Sequence, residues 1–306
     1  MTTLFEAIEL YINALSKDGK SINTIKSYRA DLNNFVTWIE AQDSKGEGAT
    51  GGTGVQSARE KDIEKYVQFL KTSGGAPATA NRRIVSLRKF FEYLAATNVI
   101  QSSPATKQKV KAVQRQNTVK WLDRSEVNRI LTATETQSNA GMTKKIRDKA
   151  IIMTLVNCGL RVSELCDLEL NDLDWANGML TVRSGKGDEF GKFRLVPFGK
   201  STQHAVKEYL GVRGSDSKSV FISERQSKMT ERAVQFVAQK LSKESGVDFT
   251  VHHLRHTFGK QVADQTNGRL EAVAQLLGHE SIETTRIYVT SSMKELAKAV
   301  EAIEFE

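Results

Sequence analysis

Long apolar runs are missing from this 306-residue sequence, and cysteine is scarce. No stretch approaches the roughly 20 apolar residues that a membrane-spanning helix needs. Residues 1–6 lack the basic and apolar regions of a signal peptide, so we expect a cytoplasmic protein with no membrane partner. The two cysteines, Cys158 and Cys166, are too few for a disulfide framework and favour packed thiols in a reducing compartment.

Sequence motifs for nucleotides and metals are missing as well. No Gly-x-x-x-x-Gly-Lys-Ser/Thr phosphate loop occurs, and no carboxylate or Cys/His cluster has the spacing of a metal site. These absences argue against a nucleotide-driven enzyme and against a two-metal nuclease. We therefore expect no cofactor and no metal.

Positive charge is what the sequence has in excess. The formal net charge is +8, and the isoelectric point is near 9.3. Such a chain is attracted to polyanions, and contacts with phosphates would make its binding weaken as salt rises. Charge alone does not distinguish a specific DNA-binding protein from a nonspecific basic scaffold.

Two polar segments indicate how the chain is organised. Residues 43–56 contain five glycines and predict a flexible connection between helices of one domain. Residues 101–120 contain five basic residues and no acidic one, which predicts a linker. We predict a first domain over 1–105, a basic interdomain linker over 106–120 and a second domain over 121–306.

Apolar residues in the first domain follow helical spacing. Four stripes begin near Phe5, Ile25, Ile63 and Ile84 and predict four core-facing helices. The third helix has a capping-box start at Ser57–Glu60. The first domain is therefore predicted to be a small helical bundle.

The second domain mixes helices with a small sheet. Asp123–Glu126 indicates a helix start, and residues 143–157 read as a mostly buried helix. Short strand-like runs at 179–183 and 193–198 are joined by a glycine-containing stretch, after which helices resume. The predicted fold class is mainly α with a small β-sheet (α+β), and Gly278 is predicted to end a late helix.

A candidate site emerges from five residues in the second half of the chain. Tyr288 stands nine residues after His279, downstream of His252, Arg255 and an isolated Arg161. Attack of an enzyme hydroxyl on a phosphodiester needs a nucleophile, positive charge at the phosphate oxygens and an acid for the leaving oxygen. Arginine suits the charge role because its planar fork holds two phosphate oxygens together.

Lys186 is the candidate acid, since Gly185 and Gly187 suggest a tight turn that projects its ammonium group. His252 and His279 could exchange a proton or donate to phosphate oxygens, and their individual roles stay open.

Taken singly, each of these residues also fits an ordinary role. Arg161 could be an exposed turn arginine, because Gly159 is predicted to be a helix C-cap. Lys186 could be a hairpin lysine and Tyr288 a core aromatic. We interpret His253 and His256 as ordinary residues on other helix faces.

The order and local spacing of the candidates resemble the tyrosine recombinase (phage integrase) family, most closely its Xer-like members. The segments that carry the resemblance are Gly159–Leu165, Gly185–Gly187 with Arg194–Pro197, His252–Phe258, Leu277–His279 and Tyr288.

The resemblance implies a metal-independent transesterification of DNA. Tyr288 would attack a phosphate, form a 3'-phosphotyrosyl link and free a 5'-hydroxyl, and strands would be exchanged through a Holliday junction. Arg161 and Arg255 would bind the scissile phosphate. Glu164 would support the site without binding the phosphate itself.

The remaining catalytic roles follow from the same resemblance. Lys186 would protonate the leaving oxygen, His252 would assist proton transfer, and His279 would hydrogen-bond the phosphate.

The first domain corresponds, by the same resemblance, to the family's helical core-type DNA-binding domain. The candidate DNA contacts, for each of which a solvated surface role is the alternative, are Thr24, Lys26, Arg29, Arg82, Arg83, Arg88, Lys89, Lys107, Lys109 and Lys111.

Assembly is also implied by the resemblance: a homodimer on each recombination site and a homotetramer in the synaptic complex. An apolar stripe from Met293 to Ile303 would form a C-terminal helix that contacts the neighbouring protomer, or would pack on its own domain. The implied tasks are chromosome dimer resolution, integration and excision, and resolution of cointegrates by a transposon-encoded enzyme.

Three other functions remain open from the sequence. A type IB topoisomerase shares the phosphotyrosine chemistry, an inactive DNA-binding regulator could use the same fold, and a nonspecific basic scaffold would need neither.

Overall fold

A computed structural model describes residues 2–43, 54–55, 58–105, 120–137, 140–183, 193–279 and 284–288. The chain forms two compact units, Met1–Gln116 and Asn117–Glu306. The predicted linker, apart from Lys120, and the predicted C-terminal helix lie outside the described residues. Within the described ranges, no helix combines the length and apolar character needed to cross a membrane.

The first unit contains the four helices that the apolar stripes predict. They are α1 (Leu4–Lys17), α2 (Ile22–Asp43), α3 (Glu60–Thr72) and α4 (Pro77–Ala96). Helix α1 begins with a capping box, in which the Glu6 amide donates to the Thr3 hydroxyl (3.1 Å) and the Thr3 amide donates to the Glu6 carboxylate (2.8 Å).

Aromatic side chains fill the core of the first unit. Phe90 and Phe91 of α4 are fully buried. Phe90 packs against Tyr11 of α1 with ring centroids 5.7 Å apart, and Phe91 packs edge-on against Phe35 of α2 at 6.1 Å. Helix α4 therefore holds α1 and α2 together through offset and edge-to-face ring contacts.

Two details of the first unit differ from the sequence prediction. Phe5 is 62% exposed, and Leu4 is buried in its place, so the apolar face of α1 begins one residue earlier. Helix α3 has its N-cap at Arg59 rather than Ser57, because the Asp62 carboxylate accepts the Arg59 amide at 3.0 Å. The earlier serine fits the motif, but the acidic residue at the third helical position fixes the start.

The second unit contains seven helices among its described residues. They are α5 (Arg124–Thr136), α6 (Met142–Cys158), α7 (Val162–Asp167), α8 (Lys200–Val212), α9 (Glu231–Ser245), α10 (Val251–Gln265) and α11 (Leu270–Leu277). The predicted start of α5 is confirmed, since the Asp123 side chain accepts the Glu126 amide at 2.8 Å.

A three-stranded antiparallel sheet lies between α7 and α8. Its strands, in spatial order, are β1 (Leu173–Asp174), β2 (Met179–Arg183) and β3 (Phe193–Pro197). The two predicted strands are confirmed, and β1 was not predicted. Val182 pairs with Arg194 and Leu180 with Val196, so these four residues share the face that is turned towards the core.

Helix α6 is the centre of the second unit. Ile151, Ile152 and Leu155 are fully buried, and the helix packs against α5, α8 and α10. It ends at Gly159, which has the left-handed φ of 62° predicted for a C-cap. A Cβ atom at Gly159 would lie 2.2 Å from the Phe258 ring, so only glycine lets α10 come this close.

Cys158 and Cys166 are buried free thiols, as the sequence predicts. Burial raises the pKa of each thiol to about 12, and neighbouring carboxylates add to the effect at Cys166. Both are therefore protonated packing residues at neutral pH.

Candidate active site

Three arginines converge on the C-terminal end of α11. The carbonyl oxygens of residues 276, 277 and 278 accept hydrogen bonds from Arg194 (2.8 Å), Arg255 (2.6 Å) and Arg161 (2.8 Å), respectively. The last carbonyls of a helix have no partner within the helix and carry partial negative charge. The end of α11 therefore gathers guanidinium groups that three different elements supply.

Each arginine is positioned by its own backbone. Arg161 is the N-cap of α7, two residues after Gly159 ends α6. Arg255 lies on the buried side of α10 and also donates to the Gly159 carbonyl at 2.6 Å. Arg194 lies on the core-facing side of β3, where the alternation of the strand leaves Phe193 and Leu195 exposed.

Glu164 lies between the arginines with its side chain only 6% exposed. Arg194 binds both carboxylate oxygens, at 2.8 and 2.7 Å, and Arg161 donates through its side chain (2.8 Å) and its backbone amide (2.7 Å). Arg255 approaches to 3.8 Å. Burial acts to raise the pKa of Glu164, but the bonds and charge of Arg194 and Arg161 outweigh it and lower this pKa to about 2.

The cluster has a surplus of positive charge. Three guanidinium groups face one carboxylate, a formal excess of two charges. Burial, followed by repulsion from Arg161, lowers the pKa of Arg255 to about 10, so this group stays charged at neutral pH. The Arg161 side chain is 42% exposed, whereas the side chains of Arg194 and Arg255 are 10% and 8% exposed. The exposed fork of Arg161 can therefore bind an oxyanion that the buried arginines also stabilise.

Tyr288 lies beside α10 in a 3₁₀ helix, Arg286–Tyr288, and is only 1% exposed. Its hydroxyl oxygen is 2.8 Å from Nδ1 of His256. A Cβ atom at Gly259 would come within 2.8 Å of the tyrosine ring, so the missing side chain there provides the space for the ring. Burial raises the pKa of Tyr288, and the charge of Arg255 opposes that rise.

His279 packs on the tyrosine and lies within the electrostatic influence of the arginine cluster. Gly278 ends α11 with a φ of 63°, as predicted, and directs His279 back towards Tyr288. Its Nδ1 lies 2.9 Å from the Thr285 hydroxyl, and its ring stacks on that of Tyr288 at 6.3 Å with an interplanar angle of 16°. Burial and then the charge of Arg255 lower the pKa of His279 to about 4, so the imidazole is neutral at neutral pH.

The structure thus brings together five of the predicted residues: Arg161, Glu164, Arg255, His279 and Tyr288. The other two predicted catalytic residues are not among these contacts. His252 is exposed on α10, and Lys186 lies outside the described residues. In the part of the chain that the structure describes, no group of three or more His, Cys, Asp and Glu side chains could hold a metal ion.

Sequence reasoning included Arg194 in the family resemblance but gave it no role in the site, and it misread His256. The position of Arg194 on the core-facing side of β3 could have been found from strand alternation, because Val196 shares its parity. His256 was interpreted as lying on another helix face than His252, which was wrong, since residues four apart share a face. His253 does have an ordinary role, because its Nδ1 accepts the Thr250 amide at 3.3 Å at the start of α10.

Several candidate DNA contacts of the first unit have partners within the chain. Arg29 forms an ion pair with Glu9. Arg82 and Arg83 lie 2.6 and 3.9 Å from the carboxylate of Asp31, which is buried. Arg82 keeps 48% of its side chain exposed, so binding to Asp31 does not exclude a contact with phosphate.

The other candidates of the first unit lie at the surface or outside the described residues. Arg88 pairs with Glu92 at 3.5 Å, and the Thr24 hydroxyl bonds to that of Ser21 at 2.8 Å. Lys26 and Lys89 are exposed. The candidates outside the described residues are Lys107, Lys109 and Lys111.

Comparisons with known proteins cover both units. The model of the phage integrase family matches residues 120–295, and the model of the phage integrase N-terminal SAM-like domain matches residues 8–98. The chain is 31% identical over 290 residues to the tyrosine recombinase XerC of Thermodesulfovibrio yellowstonii, covering 91% of this chain and 89% of the relative. It is 29% identical over 299 residues to the tyrosine recombinase XerA of Pyrococcus horikoshii, covering 97% and 93%.

Solved structures agree on the fold. The XerH site-specific recombinase, bound to a palindromic difH substrate in a post-cleavage complex, superposes with a TM-score of 0.72 at 21% identity. The match covers 92% of this chain and 80% of XerH. Since the family model alone matches more than half of the chain, and the relatives match nearly all of it, this chain belongs to the phage integrase family, as a tyrosine recombinase that acts in site-specific DNA recombination.

Proposed function

We propose that Tyr288 cuts and rejoins DNA at a specific site through a covalent intermediate. The observation that carries this proposal is that the tyrosine lies within the electrostatic influence of Arg255, with the ring of His279, at the end of α11, stacked on its own. The hydroxyl oxygen attacks phosphorus, forms a 3'-phosphotyrosyl bond and releases a 5'-hydroxyl. A 5'-hydroxyl from the partner duplex then reverses the step, and exchange proceeds through a Holliday junction.

No cofactor is required by this chemistry. One phosphodiester is exchanged for another, so the overall step is close to thermoneutral and needs neither a nucleotide nor a redox partner. The charge that a metal ion would supply at the phosphate comes instead from arginines, which stay protonated throughout.

Arg161 and Arg255 bind the scissile phosphate in this proposal. Their guanidinium groups are fixed by helix carbonyls and by Glu164, so little reorganisation is needed when negative charge develops on the phosphate oxygens. Arg194 does not need to touch the phosphate, because its three bonds are made to Glu164 and to the end of α11. Arg194 stabilises the cluster through these bonds without contacting the substrate.

The remaining groups act on protons and phosphate oxygens. His279, at the end of α11, hydrogen-bonds a phosphate oxygen through Nε2 while its Nδ1 is engaged with Thr285. His252, exposed on the outer side of α10, assists proton transfer from the DNA side. Lys186 protonates the leaving 5'-oxygen.

DNA binding is shared by both units in this proposal. The linker lysines, at 107, 109 and 111, and the exposed basic residues of α2 and α4 contact phosphates, which position the duplex without reading its sequence. The net charge of +8 supports this, and it predicts steep weakening with salt.

Assembly on DNA is proposed to be a homodimer on each site and a homotetramer at synapsis, within the cytoplasm. The palindromic substrate of XerH supports two protomers on one site, because two equal half-sites fit two copies of one chain. The segment after Met293 would form the helix that docks on the neighbouring protomer. Resolution of a transposon cointegrate is one task that needs this reaction.

The test is strand exchange on DNA selected by the protein itself. Sites are enriched from random duplexes, and a plasmid with two copies of the selected site is incubated with the protein in EDTA without nucleotide. We expect two resolved circles with the wild type and none with Tyr288→Phe. Relaxation of supercoils without resolution would instead support a topoisomerase, and binding without any cleavage would support a regulator.

Truncation before Met293 tests the assembly. We expect the shortened chain to bind one site but to lose exchange between two sites. Unchanged exchange would refute the role of this segment.

A further inference from the structure

The hydroxyl of Tyr288 has its hydrogen bond with His256, a residue that the roles given above do not use. Nδ1 of His256 and the phenolic oxygen are 2.8 Å apart, and the two rings are 5.8 Å apart at an angle of 46°. A general base can take a proton when its heavy atom lies within roughly 2.6–3.2 Å of the atom that carries the proton, and this distance falls in that range. The contact joins residues 32 positions apart, so it is formed by the fold rather than by local spacing.

The partners of the contact are held in place from both sides. His256 and Gly259 stand one turn apart on α10, and the absent side chain of Gly259 leaves the space that the Tyr288 ring fills. Leu277 closes the same space, since its Cδ1 would lie 3.1 Å from a Cβ at Gly259. The stacked ring of His279 limits movement on another side. The phenol is therefore aimed at Nδ1 by packing.

Burial and the charges around His256 keep its imidazole neutral, so one of its two ring nitrogens has a free lone pair. Burial comes first in lowering the pKa of His256 to about 4, followed by the charges of His252, His253 and Arg255 on its own helix. The groups that face it from other elements are Tyr288 and His279. Burial raises the pKa of Tyr288, so its phenol carries a proton at neutral pH. In the tautomer with the ring proton on Nε2, the phenol donates this proton to Nδ1.

We propose that His256 accepts the proton of Tyr288 during cleavage and returns it during religation. This inference rests on the proposed function, in which Tyr288 is the nucleophile. The phenolic O–H bond breaks and the proton moves to Nδ1, the oxygen–phosphorus bond forms, and the bond from phosphorus to the 5'-oxygen breaks. The departing oxygen takes its proton from Lys186. On reversal the imidazolium returns the proton to the phenolate as the new phosphodiester forms.

His252 lacks the two features that a proton acceptor for Tyr288 needs, which are burial and contact with the phenol. It is one helical turn away on the same face, but it is exposed to solvent, whereas His256 is partly buried against the phenol. The structure therefore distinguishes the two histidines: His256 contacts the hydroxyl of Tyr288, and His252 is exposed to solvent.

Single-turnover cleavage of a nicked suicide duplex tests the proposal. Such a duplex loses its 5'-hydroxyl fragment by diffusion and traps the covalent adduct. We expect His256→Ala and His256→Asn to slow adduct formation by about 10²-fold, the lower part of the range for general-base catalysis, with duplex affinity unchanged. Asparagine keeps an acceptor near the position of Nδ1 but cannot take a proton. The matched control, His204→Asn on the exposed face of α8, should cleave at the wild-type rate.

A substrate with sulfur in place of the bridging 5'-oxygen separates the two ends of the reaction. A thiolate leaves without needing a proton, so this substrate should restore cleavage by Lys186→Ala and should not restore cleavage by the His256 variants. Wild-type rates for His256→Asn would refute the proton-acceptor role. Rescue of the His256 variants by sulfur would also overturn it, because His256 would then act on the leaving group.

Failure of the proposed function gives a different result. If the wild type forms no adduct, or if Tyr288→Phe still forms one, the nucleophile is wrong, whatever His256 does. If the His256 variants have a lowered melting temperature, His256→Gln provides a second variant, and the pattern of sulfur rescue is compared among the variants that remain folded.

Discussion

Arg194 is the residue that we expect to hold the arginine cluster together, although it does not need to touch the substrate. Its guanidinium makes two bonds to Glu164, at 2.8 and 2.7 Å, and one to the carbonyl of Leu276 at 2.8 Å. The side chain is only 10% exposed. Arg194→Met removes the charge and all three bonds, while Glu164 stays buried and ionised.

The size of the effect follows from that geometry. Removing one partner of a buried ion pair costs about 3–5 kcal/mol in free energy of unfolding, because the other charge is left behind. Arg194→Lys keeps a charge but cannot form the fork, so we expect it to lose about 1.5–3 kcal/mol. Adding Glu164→Gln to Arg194→Met should cost less than the sum of the single changes, by about 0.5–3 kcal/mol.

These differences in free energy of unfolding are measured by denaturing the full chain and monitoring the second unit through hydrogen exchange of the α10 and α11 amides. The first unit serves as an internal reference, since no change is made there. Adduct formation on a suicide duplex should fall in parallel, because Glu164, which contacts Arg161 and Arg255, loses the two bonds from Arg194 that fix its position. A change in the stability of the second unit of no more than roughly 0.5 kcal/mol for Arg194→Met, the size of an ordinary surface substitution, would refute the reasoning.

Two further predictions concern the tyrosine and its surroundings. Gly259→Ala places a Cβ atom 2.8 Å from the Tyr288 ring, so we expect adduct formation to fall by about tenfold or more. The control Gly211→Ala places its Cβ atom in open space and should not change the rate. Equal rates of adduct formation for the two variants would contradict the packing argument. The pKa values of His256 and His279 are lowered to about 4, so the unfolded chain binds more protons below about pH 6.5. The melting temperature should therefore fall between pH 6.5 and 4, less so in His256→Asn, and a constant melting temperature from pH 7.5 to 5 would show that these histidines are not kept neutral.

The sequence was sufficient to predict those parts of the structure that depend on interactions between residues close together in the chain. Gly159 and Gly278 were predicted to end helices, and both have the left-handed backbone that glycine adopts without strain. The capping box at Asp123 and the two longer strands were predicted for the same reason, because turn chemistry and alternation act over a few residues. The candidate residues Arg161, Arg255 and Tyr288 were found from their order along the chain, which a resemblance can detect.

What the sequence did not reveal depends on contacts between distant segments. The bond between His256 and Tyr288 spans 32 residues, and the bonds of Arg194 span 30 residues to Glu164 and 82 to Leu276. No spacing rule predicts such pairs. Burial of Leu4 rather than Phe5 also depends on where α1 meets its neighbours, because both residues fit an apolar stripe.

Identification of the residue that becomes linked to DNA tests the central claim most directly. Adduct formed on a suicide duplex in EDTA is digested with protease, and the DNA-linked peptide is sequenced by mass spectrometry, while the released strand is tested for a free 5'-hydroxyl by kinase labelling. We predict a 3'-phosphate joined to Tyr288 and a strand that the kinase labels. Linkage to another residue such as Tyr209, release of a 5'-phosphate, or a requirement for a divalent metal would contradict the account.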